Sequence, residues 1–421
     1  MDTTTARTQQ TSKGESASSW STRLTRSRLL DKLGQLEHGC IVIDDADGTY
    51  RIGNPGLRTD LVAHVEVVDD AFYDSLAESG SIGAAESFIR GEWRSSDIVR
   101  VMQVMAANID LLNHLDDDTS ILERLSLKML HFFNRNNRKG SKRNIQAHYD
   151  LGNDFFSLFL DPTMMYSAAV FGDDPHCLET ASRQKLDRIC QKLELSPNDH
   201  LLEIGTGWGG MAEHAAKHYG CQVTTTTISK EQYEYACARI HAAGLEDKVT
   251  LLLQDYRDLE GTYDKLVSIE MIEAVGHRYL PEFFRKCGSL LKPHGLFVLQ
   301  SILMPDQRYD RARKSVDFIQ RYIFPGGFLP STGRIAEHLG KQTDMQIMDI
   351  DDITLDYAKT LQHWRERFIE RSEDIQALGF DDQFSRLWEY YFAYCEGGFR
   401  ERAIATAQYV MAKPRYRPAA E

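Results

Sequence analysis

The stretch SIEMIEAVGH, residues 268–277, ends an apolar run in two carboxylates, Glu270 and Glu273, followed by His277. YDKLVSIE reads as a strand, and acids at a strand's end can orient an ion or take up a proton there. Earlier, LLEIGTGWGG, residues 201–210, runs from a strand through Gly205, Gly207 and Gly209 into a helix, with Glu203 just before the first glycine. Glycines let such a turn tighten and let backbone N–H groups approach a ligand. A nicotinamide dinucleotide uses a similar turn, but it calls for G-x-G-x-x-G and for an acid after the second strand to hold its ribose; QVTTTTIS offers only hydroxyls.

Positioning these groups requires an alternating chain. From about residue 146 the signals run HLLEIG, a helix to about 219, QVTTTT, KEQYEYACARIHAAG, VTLLLQD, YDKLVSIE, HRYLPEFFRKCGSLL and GLFVLQSI. Such alternation predicts a parallel sheet with helices on both faces and a ligand site at the carboxyl ends of the strands. A helix-rich insertion follows residue 302, then MQIMDIDDI and a closing strand in RAIATAQYVMAKP. Residues 21–118 read as a small α+β domain, expected to associate with lipid or membrane, with strands in CIVIDDADGTYRIG and LVAHVEVVD. Residues 1–20 are rich in Ser and Thr and read as a disordered tail. Between the domains, residues 119–145 predict an amphipathic helix with Ser120 and Glu123 as a capping box. Arg124, Lys128, Arg135, Arg138, Lys139, Lys142 and Arg143 face one acid there, Glu123. Two readings stand for it: docking on an anionic membrane surface, or a solvated linker.

The chain of 421 residues is 42% hydrophobic, enough for two or three domains, and its net charge of -13 disfavours nucleic acid as a partner. Seven scattered cysteines without C-x-x-C or Cys/His spacing argue against a disulfide framework or a metal site and for a reducing compartment. No run approaches the ~20 apolar residues of a membrane span. A cytoplasmic protein is expected.

LLEIGTGWGG resembles motif I of the class I S-adenosylmethionine-dependent methyltransferases. The whole chain after residue 146, and the amino-terminal part more loosely, resembles the cyclopropane-fatty-acyl-phospholipid synthases. The resemblance is carried by AHYDLGNDFFSLFLDPTMMYSAAVF, LLEIGTGWGG, TISKEQ, LLLQDYRDL, EMIEAVGH, RYIFPGGFLPS and YAKTLQHW, in that order. It implies a Rossmann-like seven-stranded sheet with helices on both faces and a helical insertion. It also implies S-adenosylmethionine held by Gly205, Gly207 and Gly209, closed over by Tyr149, Tyr166 and Ser167, with Thr227 and Gln232 at the ribose and Asp255 and Tyr256 at the adenine. Composition alone would leave Tyr166 and Tyr256 as core aromatics.

An isolated olefin is a weak nucleophile, so a methyl transferred to it leaves a carbocation that must be kept dry and must lose a proton. By resemblance the base is a bound bicarbonate held by Glu273, Tyr322, Tyr149, Gln300 and the backbone N–H groups of Ala168 and Ile302. Glu273 and Tyr322 should then converge on one anion. Aromatic rings can stabilise a cation through the π-face, and Tyr322, Phe324, Phe171 and Tyr166 lie in motifs expected near the pocket. Glu270 and His277 read more simply, as a strand-end network partner and a helix-start residue. Ala168 stands where the family has Cys, and Gln300 where many members have His; Gln can donate to an anion but cannot take its proton. The expected reaction is cyclopropane formation on an unsaturated phospholipid by a protein associated with the inner face of the membrane, where a homodimer would give two-handed attachment. The alternatives are methyl branching of the acyl chain, N-methylation of a small amine, and a silent lipid or cofactor binder.

Overall fold

The computed structural model describes residues 20–111 except 55 and 57, then 151–172 and 176–418. The basic stretch 119–145 and Tyr149 lie outside the described residues.

The amino-terminal part is a four-stranded sheet in the order β2-β1-β3-β4, made of β1 (Cys40–Asp45), β2 (Gly48–Ile52), β3 (Val62–Val67) and β4 (Trp93–Arg94). The Asp-Gly bend at 47–48 joins β1 to β2 antiparallel, while β3 lies parallel to β1. Alternation along β1 and β3 turns Ile41, Ile43, Ala63 and Val65 to one face, and the helices Ala71–Arg90 and Ile98–Ala107 supply Phe72, Tyr73, Phe88, Val101 and Met102 to the same core. The helix Ala71–Arg90 is kinked at Gly80, whose φ of 54° and ψ of -130° are not helical.

The second sheet has seven strands: β5 (His200–Ile204), β6 (Gln222–Thr227), β7 (Val249–Leu253), β8 (Tyr263–Ile269), β9 (Leu291–Leu303), β10 (Gln346–Asp352) and β11 (Ala405–Ala412). Their order is β10-β11-β9-β8-β5-β6-β7. Strands β5 to β9 pair in parallel, but β11 runs antiparallel to both β9 and β10. The strands that alternate with helices, β5 to β9, are parallel as expected, and the closing strand β11, read without a direction, makes the sheet as a whole mixed. Strand direction depends on the path of the preceding connection: the helical pair Thr354–Glu370 and Asp382–Arg400 leaves β10 and comes back to the same edge of the sheet, where Ala407 pairs with Asp352, so β11 runs back antiparallel. Polar Thr224, Thr225, Thr226 and Thr227 sit in the middle of this buried sheet because their hydroxyls find partners: Thr225 reaches Glu203 at 2.6 Å and Thr226 the Gln254 carbonyl at 2.5 Å.

The helix Asp382–Arg400 joins the two sheets. Asp381 caps it by accepting from the Phe384 N–H at 2.8 Å. Spacing of three and four residues puts Trp388, Tyr391, Phe392 and Phe399 inside, and each such fully buried side chain contributes about 1.5–3 kcal/mol. Toward the amino-terminal part, Tyr390 meets Phe88 with ring centroids 5.6 Å apart, and Arg58 forms a two-pronged pair with Glu401 at 2.7 and 3.0 Å. Gly397 has no side chain because a Cβ would stand 2.5 Å from Met102 Cβ.

Candidate active site

In such a sheet a crevice opens where strand order reverses, here around β5 and β8. Gly205 and Gly207 follow β5 with φ of 105° and 52°, a region that strains any other residue. A Cβ on Gly205 would meet the Met271 side chain at 3.1 Å, whereas nothing stands within 4 Å of one on Gly207: the backbone there is bare and open. Gly209, with φ of 84°, starts the helix Gly210–His214, and its missing side chain makes room for Ala236. Tyr166, Ser167, Gly205, Gly207, Thr227, Gln232, Asp255 and Tyr256 line one cavity of about 1350 Å³; Gly209 stands behind it. Thr227 donates to Gln232 Oε1 at 3.1 Å, and Arg257 steadies Asp255 at 2.8 and 2.6 Å. The bare turn at Gly207, with hydroxyl, amide and carboxylate groups after β6 and β7, suits the methionine, ribose and adenine parts of S-adenosylmethionine.

Behind this wall, Lys185 is wholly buried and donates to Ser167 Oγ at 2.8 Å. Burial pushes its ammonium down to about 8, while Glu270, Asp161 and Glu203 favour the charged form. Burial likewise raises Glu203 to about 8 against the help of the Thr225 hydroxyl.

Glu270 and Glu273 both line the cavity. Glu270 follows β8 in the left-handed region with φ of 48°, its N–H held by the Gln300 carbonyl at 2.8 Å. Its Oε1 accepts from the Ala168 N–H at 2.9 Å and Gln300 Nε2 at 2.8 Å; its Oε2 accepts from the Tyr357 hydroxyl at 2.8 Å. Gln300 is fixed in turn by the Ala168 carbonyl at 3.2 Å and by Gln408 at 3.0 Å. Burial raises Glu270 above the usual carboxylate range, opposed by these three donors and by Lys185. Glu273 lies one short turn later, with Oε1 accepting from Ser301 Oγ at 2.9 Å and the Ile302 N–H at 2.6 Å. Its Oε2 is buried with no hydrogen-bond partner, and burial, with the charge of Glu270, pushes it up to about 8. Gly276, with φ of 87°, turns the chain into His277, whose Nδ1 meets the Tyr309 hydroxyl at 2.6 Å.

The residues expected to converge on one anion are thus divided. Ala168 and Gln300 serve Glu270; Ile302 serves Glu273. Tyr322 does not join them: its hydroxyl donates to Glu86 of the amino-terminal part, which Arg321 also holds at 2.9 Å. Phe324 and Tyr166 line the cavity, their rings 6.3 Å apart, but Phe171 stacks on His363 outside it. Sequence reasoning missed Tyr357 and Tyr391, the second bonding the Tyr166 hydroxyl at 3.0 Å. Tyr357 opens YAKTLQHW, so a signal was present, though nothing in a helical pattern distinguishes an inward tyrosine that bonds an acid from one that only packs.

Beyond the carboxylates the cavity becomes apolar and passes into the amino-terminal part, where Ile41, Ile43, Val65, Phe72, Leu76, Trp93, Met102 and Met105 line it. Arg28, Lys32, Arg308, Arg313 and Lys314 also border it. Among the described residues no helix is long and apolar enough to cross a membrane.

Residues 136–409 match the family described as mycolic acid cyclopropane synthetase. The chain is 40% identical over 349 residues to the tuberculostearic acid methyltransferase UfaA1 of Mycobacterium tuberculosis (strain ATCC 25618 / H37Rv), with 81% of each chain covered. It is 36% identical over 377 residues to the cyclopropane-fatty-acyl-phospholipid synthase of Escherichia coli (strain K12), covering 87% of this chain and 94% of that one. The crystal structure of the mycolic acid cyclopropane synthase CmaA1 complexed with SAH and CTAB superposes with a TM-score of 0.60 at 31% identity, covering 65% of this chain and 98% of that one. The cofactor is S-adenosylmethionine. With its open glycine turn and acidic strand ends, the chain belongs to the mycolic acid cyclopropane synthetase family, the S-adenosylmethionine-dependent enzymes that methylate or cyclopropanate acyl chains.

Proposed function

We propose that this protein transfers a one-carbon unit to the cis double bond of an unsaturated acyl chain in a membrane phospholipid and closes a cyclopropane ring. The observation that carries this reading is the continuity of one cavity from the open glycine turn after β5, past two carboxylates, into an apolar interior lined by both sheets. A small soluble amine would need no such interior. The cationic side chains along the cavity suit a lipid phosphate, and a peripheral position on the inner face of the membrane follows from that chemistry. A homodimer would double the attachment.

Bound S-adenosylmethionine supplies an electrophilic methyl on a sulfonium. The Gly205–Gly207 backbone, Thr227, Gln232 and Asp255 would hold and orient it. Tyr166 and Phe324 line the cavity, where their rings would offer π-electron density to the developing positive charge, and the apolar lining would keep water from the cation. The bicarbonate implied by resemblance fits poorly: the Ala168 N–H and Gln300 amide already donate to Glu270, and Tyr322 is engaged with Glu86. No step is routed through it.

A second reading, a methyl branch in place of the ring, is favoured by the 40% identity to a methyltransferase. A saturated branch needs two further electrons and a proton from a separate reductant. Mass spectrometry of membrane fatty acids from a host making the protein tests both. A gain of one CH2 with loss of the olefin signals supports ring closure, a gain of CH2 plus two hydrogens supports the branch, and unchanged fatty acids overturn both.

A further inference from the structure

We propose that Glu270 is the base that removes the surplus proton, a carboxylate built into the chain where a bound bicarbonate was expected; this rests on the reading above of one-carbon transfer to an acyl chain. Three donors from separate elements converge on it: the Ala168 N–H from the loop before the helix Leu178–Lys192, Gln300 from β9, and Tyr357 from the helix Thr354–Glu370. Two of the three are groups expected to grip the free anion. A carboxylate offers the same planar pair of oxygens as bicarbonate, so one cage cannot hold both.

The backbone supports the same conclusion. Glu270 occupies a φ of 48°, where glycine is the ordinary choice and a side chain is strained. Strain of this kind persists where the side chain is needed in place, and here it delivers a carboxylate to the cavity wall. Oε1 is taken by two donors, whereas Oε2 accepts from Tyr357 alone and keeps a lone pair for a proton. Glu273 is the weaker candidate, since its Oε2 has no donor to support a negative charge and it stands beside Glu270. Lys185, buried behind Ser167, is the cation that favours ionised Glu270.

The step balances without an oxidant. The olefin's π pair forms the new bond to the methyl carbon while the carbon–sulfur bond breaks and leaves its pair on sulfur. A C–H bond of the added carbon then gives its proton to Glu270 Oε2 and its electron pair to the ring. The proton passes to solvent when product leaves.

The test uses the full chain, dioleoylphosphatidylglycerol vesicles and methyl-labelled S-adenosylmethionine in buffer stripped of carbon dioxide, with and without added bicarbonate. The wild-type protein should label the acyl chains equally in both buffers. Glu270→Gln should lose activity by about 100-fold or more while binding the cofactor normally by calorimetry. Glu270→Gly, which suits the backbone and empties the cage, should be inactive in stripped buffer and regain turnover with bicarbonate. Wild-type activity that requires bicarbonate, or full activity of Glu270→Gly in stripped buffer, would overturn the assignment. No labelled lipid from the wild type in either buffer would instead defeat the reading of one-carbon transfer to an acyl chain itself.

Discussion

At the cofactor end of the cavity the lining comes from short runs: Gly205 and Gly207, Thr227 to Gln232, Asp255 and Tyr256, Glu270 and Glu273. At the apolar end it comes from Ile43, Val65, Phe72, Trp93 and Met105, single residues from two helices and three strands of the amino-terminal part. Recognition of a charged, polar ligand needs donors and acceptors within a few tenths of an ångström, which a turn of fixed shape delivers and a short motif encodes. Accommodation of a hydrocarbon needs volume and dryness, which many combinations of apolar side chains supply.

Substitutions at the two ends should therefore separate. Gly205→Val would force a branched side chain into a φ of 105° and against Met271, and should weaken cofactor affinity by about 100-fold, ~2.7 kcal/mol, in calorimetry. Val65→Phe, at a site 5% exposed in the apolar end, should cost about 1–3 kcal/mol of stability in denaturant titration and shift the preference toward shorter acyl chains. Its cofactor affinity should not change; a loss there would mean the two ends are not independent. Glu86→Gln removes the charge that Tyr322 and Arg321 share across the two parts. Because Glu86 and Arg321 remain 25% and 31% exposed, the cost should be about 1 kcal/mol or less, seen as a small shift in the urea midpoint. A loss of most activity from that change would show that Tyr322 acts on the reacting atoms after all.

The same contrast explains what could be read from sequence. The glycine turn, the strand bearing Glu270 and Glu273, and the alternation that builds β5 to β9 are periodic or contiguous signals, and they led to the cofactor end. Direction is not periodic, so antiparallel β11 was read as a strand without its orientation. Tyr322 and Tyr357 show the limit at side-chain level. Both are tyrosines in helical segments, and only the packing of the helix Thr354–Glu370 against the helix Asp382–Arg400 and β11 turns Tyr357 onto Glu270, while Glu86, more than two hundred residues earlier, draws Tyr322 away. Glu270 was legible as a member of a strand-end network, but its partners Ala168, Gln300 and Tyr357 are far apart in the chain. The contribution of the amino-terminal sheet to the cavity had no sequence signal beyond ordinary core hydrophobicity.

The most direct test of the account is mass spectrometry of the lipids after purified protein is incubated with methyl-labelled S-adenosylmethionine and vesicles of an unsaturated phospholipid. The predicted result is label within the acyl chain and a product heavier by one CH2. Unlabelled lipid from protein that binds the cofactor, or label found only on an added amine, would contradict it.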